Sequence, residues 1–158
     1  MWTTADLCDE YGAAIAVAQP LLRSYGGAHA FCGPIATVQV RDDNTSVRLR
    51  LQEPGEGRVL VVDGGGSLAC ALVGDQLAQL AVGNGWAGVV VYGCIRDSAA
   101  IGALNLGVIA LATLPCKSEK RGPGAHDVPV QFAGVTFTPG HYLYADADGI
   151  VVADRPLV

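Results

Sequence analysis

Positive charge is scarce in this 158-residue chain: ten Lys and Arg against fifteen Asp and Glu leave a net charge of -5 and a pI near 4.9. A surface that tracks a phosphate backbone needs clustered cations, so direct nucleic-acid binding is excluded as an expectation. The one local basic group, Lys117, Lys120 and Arg121, is too small to reverse that. Long apolar runs are missing too. No segment reaches the roughly 18 residues of a membrane-spanning helix, so no membrane partner is expected. The cysteines, Cys8, Cys32, Cys70, Cys94 and Cys116, are odd in number and form no CxxC pair. His29, His126 and His141 stand far apart, without metal-ligand spacing. A disulfide framework and a zinc site are thereby excluded, and reduced, partly buried thiols are predicted. The first twenty residues carry Asp6, Asp9 and Glu10 rather than a basic start and an apolar run. No secretory leader is expected, and the cytoplasm is the expected location.

What is abundant is small and apolar: 51% of residues are apolar, 21 are Gly, and only 6% are aromatic. That composition suits one compact α/β domain over residues 1–158. Thr3 or Thr4 caps a first helix, and Pro20 with Gly26–Gly27 marks a connection. Ile35–Val40 reads as a strand, Ser46–Gln52 as a helix preceded by the capping residues Asp43, Asn44 and Thr45, and Arg58–Val62 as a buried strand. Next come a helix over Gln76–Val82, a strand over Ala87–Tyr92, a short helix from Asp97 to Leu104 and a strand over Val108–Thr113. Residues 115–127 read as a loop. Four short strands follow, Val128–Gln131, Val135–Thr138, Tyr142–Asp146 and Ile150–Ala153, with turns at Pro139–Gly140 and Asp148–Gly149.

Within this frame, twenty residues separate Asp75 from the adjacent Arg96 and Asp97. The intervening helix and strand return the chain to roughly its starting level, which lets the three groups face one pocket. Each aspartate also stands just ahead of a helix, where a carboxylate serves as an N-cap, so capping and site chemistry both stand. Arg96 follows an apolar strand and is costly to desolvate without a carboxylate or ligand partner. The run Asp63–Gly64–Gly65–Gly66–Ser67 lacks the Gly–Lys–Ser/Thr of a phosphate loop and is weak as a dinucleotide fingerprint. A tight turn shaping the pocket floor is the expectation. A methyltransferase reading of that run is disfavoured because no acid for a ribose stands where the second strand ends, at Tyr92–Gly93–Cys94.

The run VLVVDGGGSLACALVGDQLAQLAVGNGWAGVVVYGCIRD, with the later GVTFTPGHYLYADADGIVV, resembles the RraA-like family, and the likeness extends from TADLCDEYG through DGIVV. That family includes regulators of ribonuclease E and metal-dependent 4-hydroxy-4-methyl-2-oxoglutarate aldolases that also decarboxylate oxaloacetate. The resemblance implies an α/β fold, a swivelling β/β/α sandwich like that of phosphohistidine domains, assembled as a homotrimer. It also implies Asp97 as the ligand of a divalent metal, Mg²⁺ or Mn²⁺, completed by waters and a 2-oxo acid substrate. Arg96 is then the partner of the developing oxyanion, and Gly74, Asp75, Gln76 and Leu77 form a substrate-binding turn. Asp75 is the candidate for moving a proton. The expected activity is retro-aldol cleavage or oxaloacetate decarboxylation through a pyruvate enolate. The competing expectation is a non-catalytic trimeric protein that binds ribonuclease E through acidic patches.

Overall fold

The computed structural model describes residues 1–158. Its strands are β1 (Ala16–Val17), β2 (Arg23–Ser24), β3 (Phe31–Gln39), β4 (Val59–Asp63), β5 (Ala71–Val73), β6 (Gly88–Ile95), β7 (Gly107–Thr113), β8 (Ala125–His126), β9 (Val130–Phe132), β10 (Val135–Phe137), β11 (Tyr142–Asp146) and β12 (Gly149–Ala153). Four α-helices join them: α1 (Thr4–Tyr11), α2 (Thr45–Leu51), α3 (Asp75–Gly83) and α4 (Ser98–Gly102). No helix is long and apolar enough to cross a membrane.

The main sheet runs β1-β12-β11-β3-β4-β6-β7-β2. Its two halves meet on β3. Residues 31–34 of that strand pair antiparallel with β11, while Ile35–Gln39 pair in parallel with β4. Strands β3, β4, β6 and β7 are parallel neighbours, and α2, α3 and α4 lie in the crossovers. Parallel strands of this kind are covered on both faces and read as continuous apolar runs. Here the period-2 alternation sends odd and even residues to different cores. Leu60, Val62, Val89, Val91, Val108 and Ala110 pack beneath the helices. Val59, Val61, Val90 and Ile109 pack instead against β9–β12, with Phe132, Phe137 and Leu143. The result is a β/β/α sandwich, as expected.

The structure extends or corrects several expected elements. β3 begins at Phe31, and β6 continues beyond Tyr92 to Ile95. β5 was not expected; it pairs with the end of β6, whose ladder is irregular there. The predicted loop 115–127 contains β8, paired with the end of β3. At the start of α2 the capping carboxylate is that of Asp43, which accepts from the N–H and hydroxyl of Thr45, while the Asn44 side chain makes no cap bond. Thr3 caps α1 as expected, accepting from Asp6 N–H at 3.0 Å.

Gly64–Gly66 form a tight turn, with Gly65 and Gly66 at positive φ and two of the turn's N–H groups bonded to the Tyr92 carbonyl. A side chain at Gly64 would meet Leu72 and that carbonyl. The turn does not, however, floor the cavity that holds Arg96 and Asp97, and that expectation is corrected.

Candidate functional site

Strands β5 and β6 end side by side, and each leads directly into a helix. Gly74 and Asp75 follow β5; Arg96 and Asp97 follow β6. The carboxyl ends of parallel strands are where α/β folds present ligand crevices. A cavity of about 160 Å³ opens there, lined by Gly74, Asp75, Gln76, Leu77, Arg96 and Asp97. All six residues singled out in the sequence therefore share one wall system. Asn44, Arg48, Ala71, Lys117, Ser118 and Lys120 complete it.

Neither aspartate caps its own helix. Gly74 occupies the N-cap position of α3, and Asp75 is the first helical residue. Asp97 precedes α4 in left-handed backbone geometry, φ 56°, and makes no cap bond to that helix. Its Oδ2 instead accepts from the Asp75 N–H at 3.1 Å, so Asp97 caps α3 from across the cavity. A carboxylate there also meets the positive end of the helix dipole. Gly74 makes the approach possible, because a Cβ at that position would lie 2.8 Å from Asp97 Oδ2. The N–H groups of Gln76 and Leu77 lie in the first turn, ahead of the first intrahelical bond from Ala78 to the Gly74 carbonyl, and have no protein acceptor.

Arg96 is half-buried, and its guanidinium donates to the Pro115 carbonyl at 3.4 Å. It makes no ion pair with either aspartate, which leaves a ligand as the partner the sequence reading allowed: every ion pair of the chain involves Arg50, Arg121 or Arg155. Arg48, Lys117 and Lys120 are likewise unpaired. The cavity thus gathers four free cations against two carboxylates, in a chain whose net charge is -5. Such a concentration attracts anions and holds them by charge-assisted hydrogen bonds.

The residues missed in the sequence come from α2 and from the 115–127 segment. Asn44 Nδ2 donates to the Leu72 carbonyl, leaving Oδ1 buried without a partner; Ser118 Oγ is also buried and unpartnered. The segment is pinned by Asp43, whose carboxylate accepts from the N–H groups of Arg121 and Gly122. Burial alone would raise the Asp43 pKa, but hydrogen bonds from Thr45, Arg121 and Gly122 outweigh it and hold the carboxyl at about 2. Ser46 Oγ accepts from Gly124 N–H at 2.7 Å, and Arg50 pairs with Asp127 at 3.0 Å. A usable signal was present. Lys117 and Lys120 form a basic cluster in an acidic chain.

No group of three or more His, Cys, Asp or Glu side chains gathers to cage a metal. Asp97 is exposed, and its Oδ1 makes no protein hydrogen bond. One free carboxylate oxygen fits an ion that keeps most of its waters and takes further oxygens from a bound substrate, the habit of Mg²⁺. It does not fit a closed zinc cage.

Burial pushes Cys94 and Cys32 up, and burial with Asp42 beside it pushes Cys70 to about 11, so none of these three is a nucleophile near neutrality.

A family model described as RraA-like, Aldolase/RraA, matches residues 4–152. A protein of Aromatoleum aromaticum, provisionally named a 4-hydroxy-4-methyl-2-oxoglutarate aldolase, is 60% identical over 98% of both chains. The crystal structure of a Geobacillus kaustophilus protein, described as an S-adenosylmethionine:2-dimethylmenaquinone methyltransferase, superposes with a TM-score of 0.96 at 54% identity, covering 99% of this chain and 97% of that one. The structure of the RNA-processing inhibitor RraA from Thermus thermophilus also gives 0.96, at 43% identity over 100% and 96% of the two chains.

Proposed function

The chain belongs to the RraA-like family, and from that premise we propose that it is a lyase that cleaves dianionic 2-oxo acids to pyruvate. The substrates proposed are 4-hydroxy-4-methyl-2-oxoglutarate, by retro-aldol cleavage, and oxaloacetate, by decarboxylation. One observation carries the reading. Four unpaired cations and the free N–H groups of α3 surround a cavity at the ends of β5 and β6.

The Gln76 and Leu77 N–H groups receive the carboxylate next to the keto carbon. Arg96 faces the keto oxygen. In retro-aldol cleavage the C3–C4 bond breaks, its electron pair moves onto the keto oxygen, and Arg96 stabilises the charge that develops there. The hydroxyl proton on C4 passes to the Asp75 carboxylate, which has no hydrogen-bond or salt-bridge partner in the protein, and C4 leaves as the carbonyl carbon of pyruvate. Returning a proton to C3 gives the second pyruvate. For oxaloacetate the same bond breaks with loss of carbon dioxide, and no hydroxyl proton need move. Asp97 would hold the proposed Mg²⁺ or Mn²⁺, which when bound supplies Lewis-acid polarisation of the keto group.

A methyltransferase reading fits this cavity poorly. β6 reaches Ile95, so Asp97 does stand just beyond a strand end, correcting the argument made from Tyr92–Gly93–Cys94. However, adenosylmethionine carries a sulfonium cation and an adenine ring, whereas the cavity is rich in cations and has only Ala71 and Leu77 as apolar lining.

The test is pyruvate release from both acids, with Mg²⁺, with Mn²⁺ and with chelator. Turnover that needs the metal and vanishes in Asp97→Ala is expected; full oxaloacetate decarboxylation by metal-stripped Asp97→Ala above the free-metal background would sink the assignment. The likeness to the Thermus thermophilus RNA-processing inhibitor favours a second reading, a regulator of RNA processing, for which a trimer that binds ribonuclease E is the form proposed. Pull-down with a ribonuclease E scaffold segment and a light-scattering mass test that reading and the homotrimer.

A further inference from the structure

Resting on the lyase reading above, we propose that Arg48, Lys117 and Ser118 form a second anion subsite within the same cavity. It holds the far carboxylate of a dicarboxylic 2-oxo acid and so selects that acid over a monocarboxylic one.

The walls of the cavity are equipped for two anionic groups. The free N–H groups of α3 and the Arg96 guanidinium account for one carboxylate and the keto oxygen. Arg48, Lys117 and Lys120 remain, and no ion pair in the protein neutralises them. Arg48 lies four residues after Asn44, one helical turn on, so both face the cavity from the same side of α2. Its guanidinium has no ion pair and no hydrogen bond to the protein, and a planar fork of donors matches a carboxylate. Lys117 is brought alongside by a backbone bridge to Ala71, the first residue of β5. Ser118, only 6% exposed, follows it and lines the cavity, with its hydroxyl buried and unpartnered. Buried hydroxyls are ordinarily satisfied, and a ligand oxygen satisfies this one.

This wall is also held in place before any ligand arrives. Asp43, Ser46 and Arg50, all from α2 or the two residues before it, bond Arg121, Gly122, Gly124 and Asp127 of the neighbouring segment. Preorganised donors lose little entropy on binding, so their charge is converted into selectivity.

The test uses the intact protein with Mg²⁺ and two probes that it cannot cleave, pyruvate and 2-oxoglutarate, titrated by calorimetry. Wild type is expected to bind 2-oxoglutarate more tightly by about tenfold, the effect of one charge-assisted hydrogen bond. Arg48→Gln removes most of that advantage and leaves the pyruvate affinity unchanged, whereas Arg48→Lys keeps part of it. If Arg48→Gln fails a circular-dichroism check of folding, Lys117→Gln provides the same comparison. Equal affinities in wild type, or a variant that weakens both probes by one factor, would overturn the subsite. Loss of the lyase reading looks different: no pyruvate is released from 4-hydroxy-4-methyl-2-oxoglutarate, yet the binding difference persists.

Discussion

Replacing Gly74 with alanine adds one methyl group at the point where the two halves of the site touch. The backbone tolerates it, since φ -119° and ψ -168° are extended values open to any residue. The side chain is another matter. Its Cβ would stand 2.8 Å from Asp97 Oδ2 and 3.5 Å from Arg96 Cγ and Nε, and the first of these is closer than real Cβ contacts occur. The carboxylate, at the end of a rotatable side chain, has to give way by several tenths of an ångström. The bond it accepts from Asp75 N–H stretches or breaks. Because Asp97 is exposed, that bond contributes about 1 kcal/mol, which lowers the melting temperature of a chain this size by roughly 2–4 °C. The catalytic loss is expected to be larger, on the order of 10-fold in pyruvate release, because misplacement of a positioned group by about 1 Å costs roughly 10²-fold and this shift is a fraction of that. A coupled dehydrogenase assay beside a thermal melt reads both quantities. Wild-type turnover with unchanged metal dependence in Gly74→Ala would refute the idea that the Asp97 position matters.

Arg96→Gln is expected to lower kcat by roughly 10²–10³-fold, the effect of losing one oxyanion donor, while the melting temperature hardly moves because the side chain's sole protein bond is the long one to Pro115. Steady-state kinetics with either acid checks this. Gly107→Ala acts on the fold: its Cβ would fall 2.1 Å from Phe31 Cδ1, within the buried core. Overpacking of that kind costs about 1–3 kcal/mol, so calorimetry should show a melting temperature lower by roughly 2–12 °C. For Asp43 the folded pKa, about 2, lies below the ordinary 3.8. Its stabilisation is therefore present above the ordinary value and is lost as pH falls from about 4 through about 2. Denaturant melts of Asp43→Asn should be less stable near neutrality and show a weaker acid dependence across that window.

The sandwich was legible because its signals are local. Val59–Val62, Val89–Val91 and Val108–Ala110 are apolar on both faces, and Gly or helix-forming residues separate them. β5 escaped notice for the opposite reason. Three residues are too few to show a period, and Ala71 is held by the Cys116 carbonyl and by β6, partners distant in sequence. β1, β2 and β8 are two-residue pairings of the same kind. The site divides along the same line. Gly74 to Leu77 and Arg96–Asp97 sit at successive strand ends, so their meeting follows from chain geometry. Arg48 and Lys117 meet only after a folded segment has crossed over α2, and periodicity carries no trace of that. The capping question shows a further limit. Position ahead of a helix correctly marked Asp97 as a cap, but the helix it serves is α3.

The division of β3 between two pairing partners bears on how the protein is made. Ile35–Gln39 find β4 within some twenty residues, so the parallel layer can assemble while the chain is still short. Residues 31–34 wait for β11, and Thr4 waits for Asp146, to which both its N–H and its hydroxyl bond. During synthesis the beginning of the chain thus stays without its native neighbours until residues 142–153 have cleared the ribosome. Through that interval the underside of the parallel layer is an uncovered apolar surface, the stage at which a chaperone has something to hold.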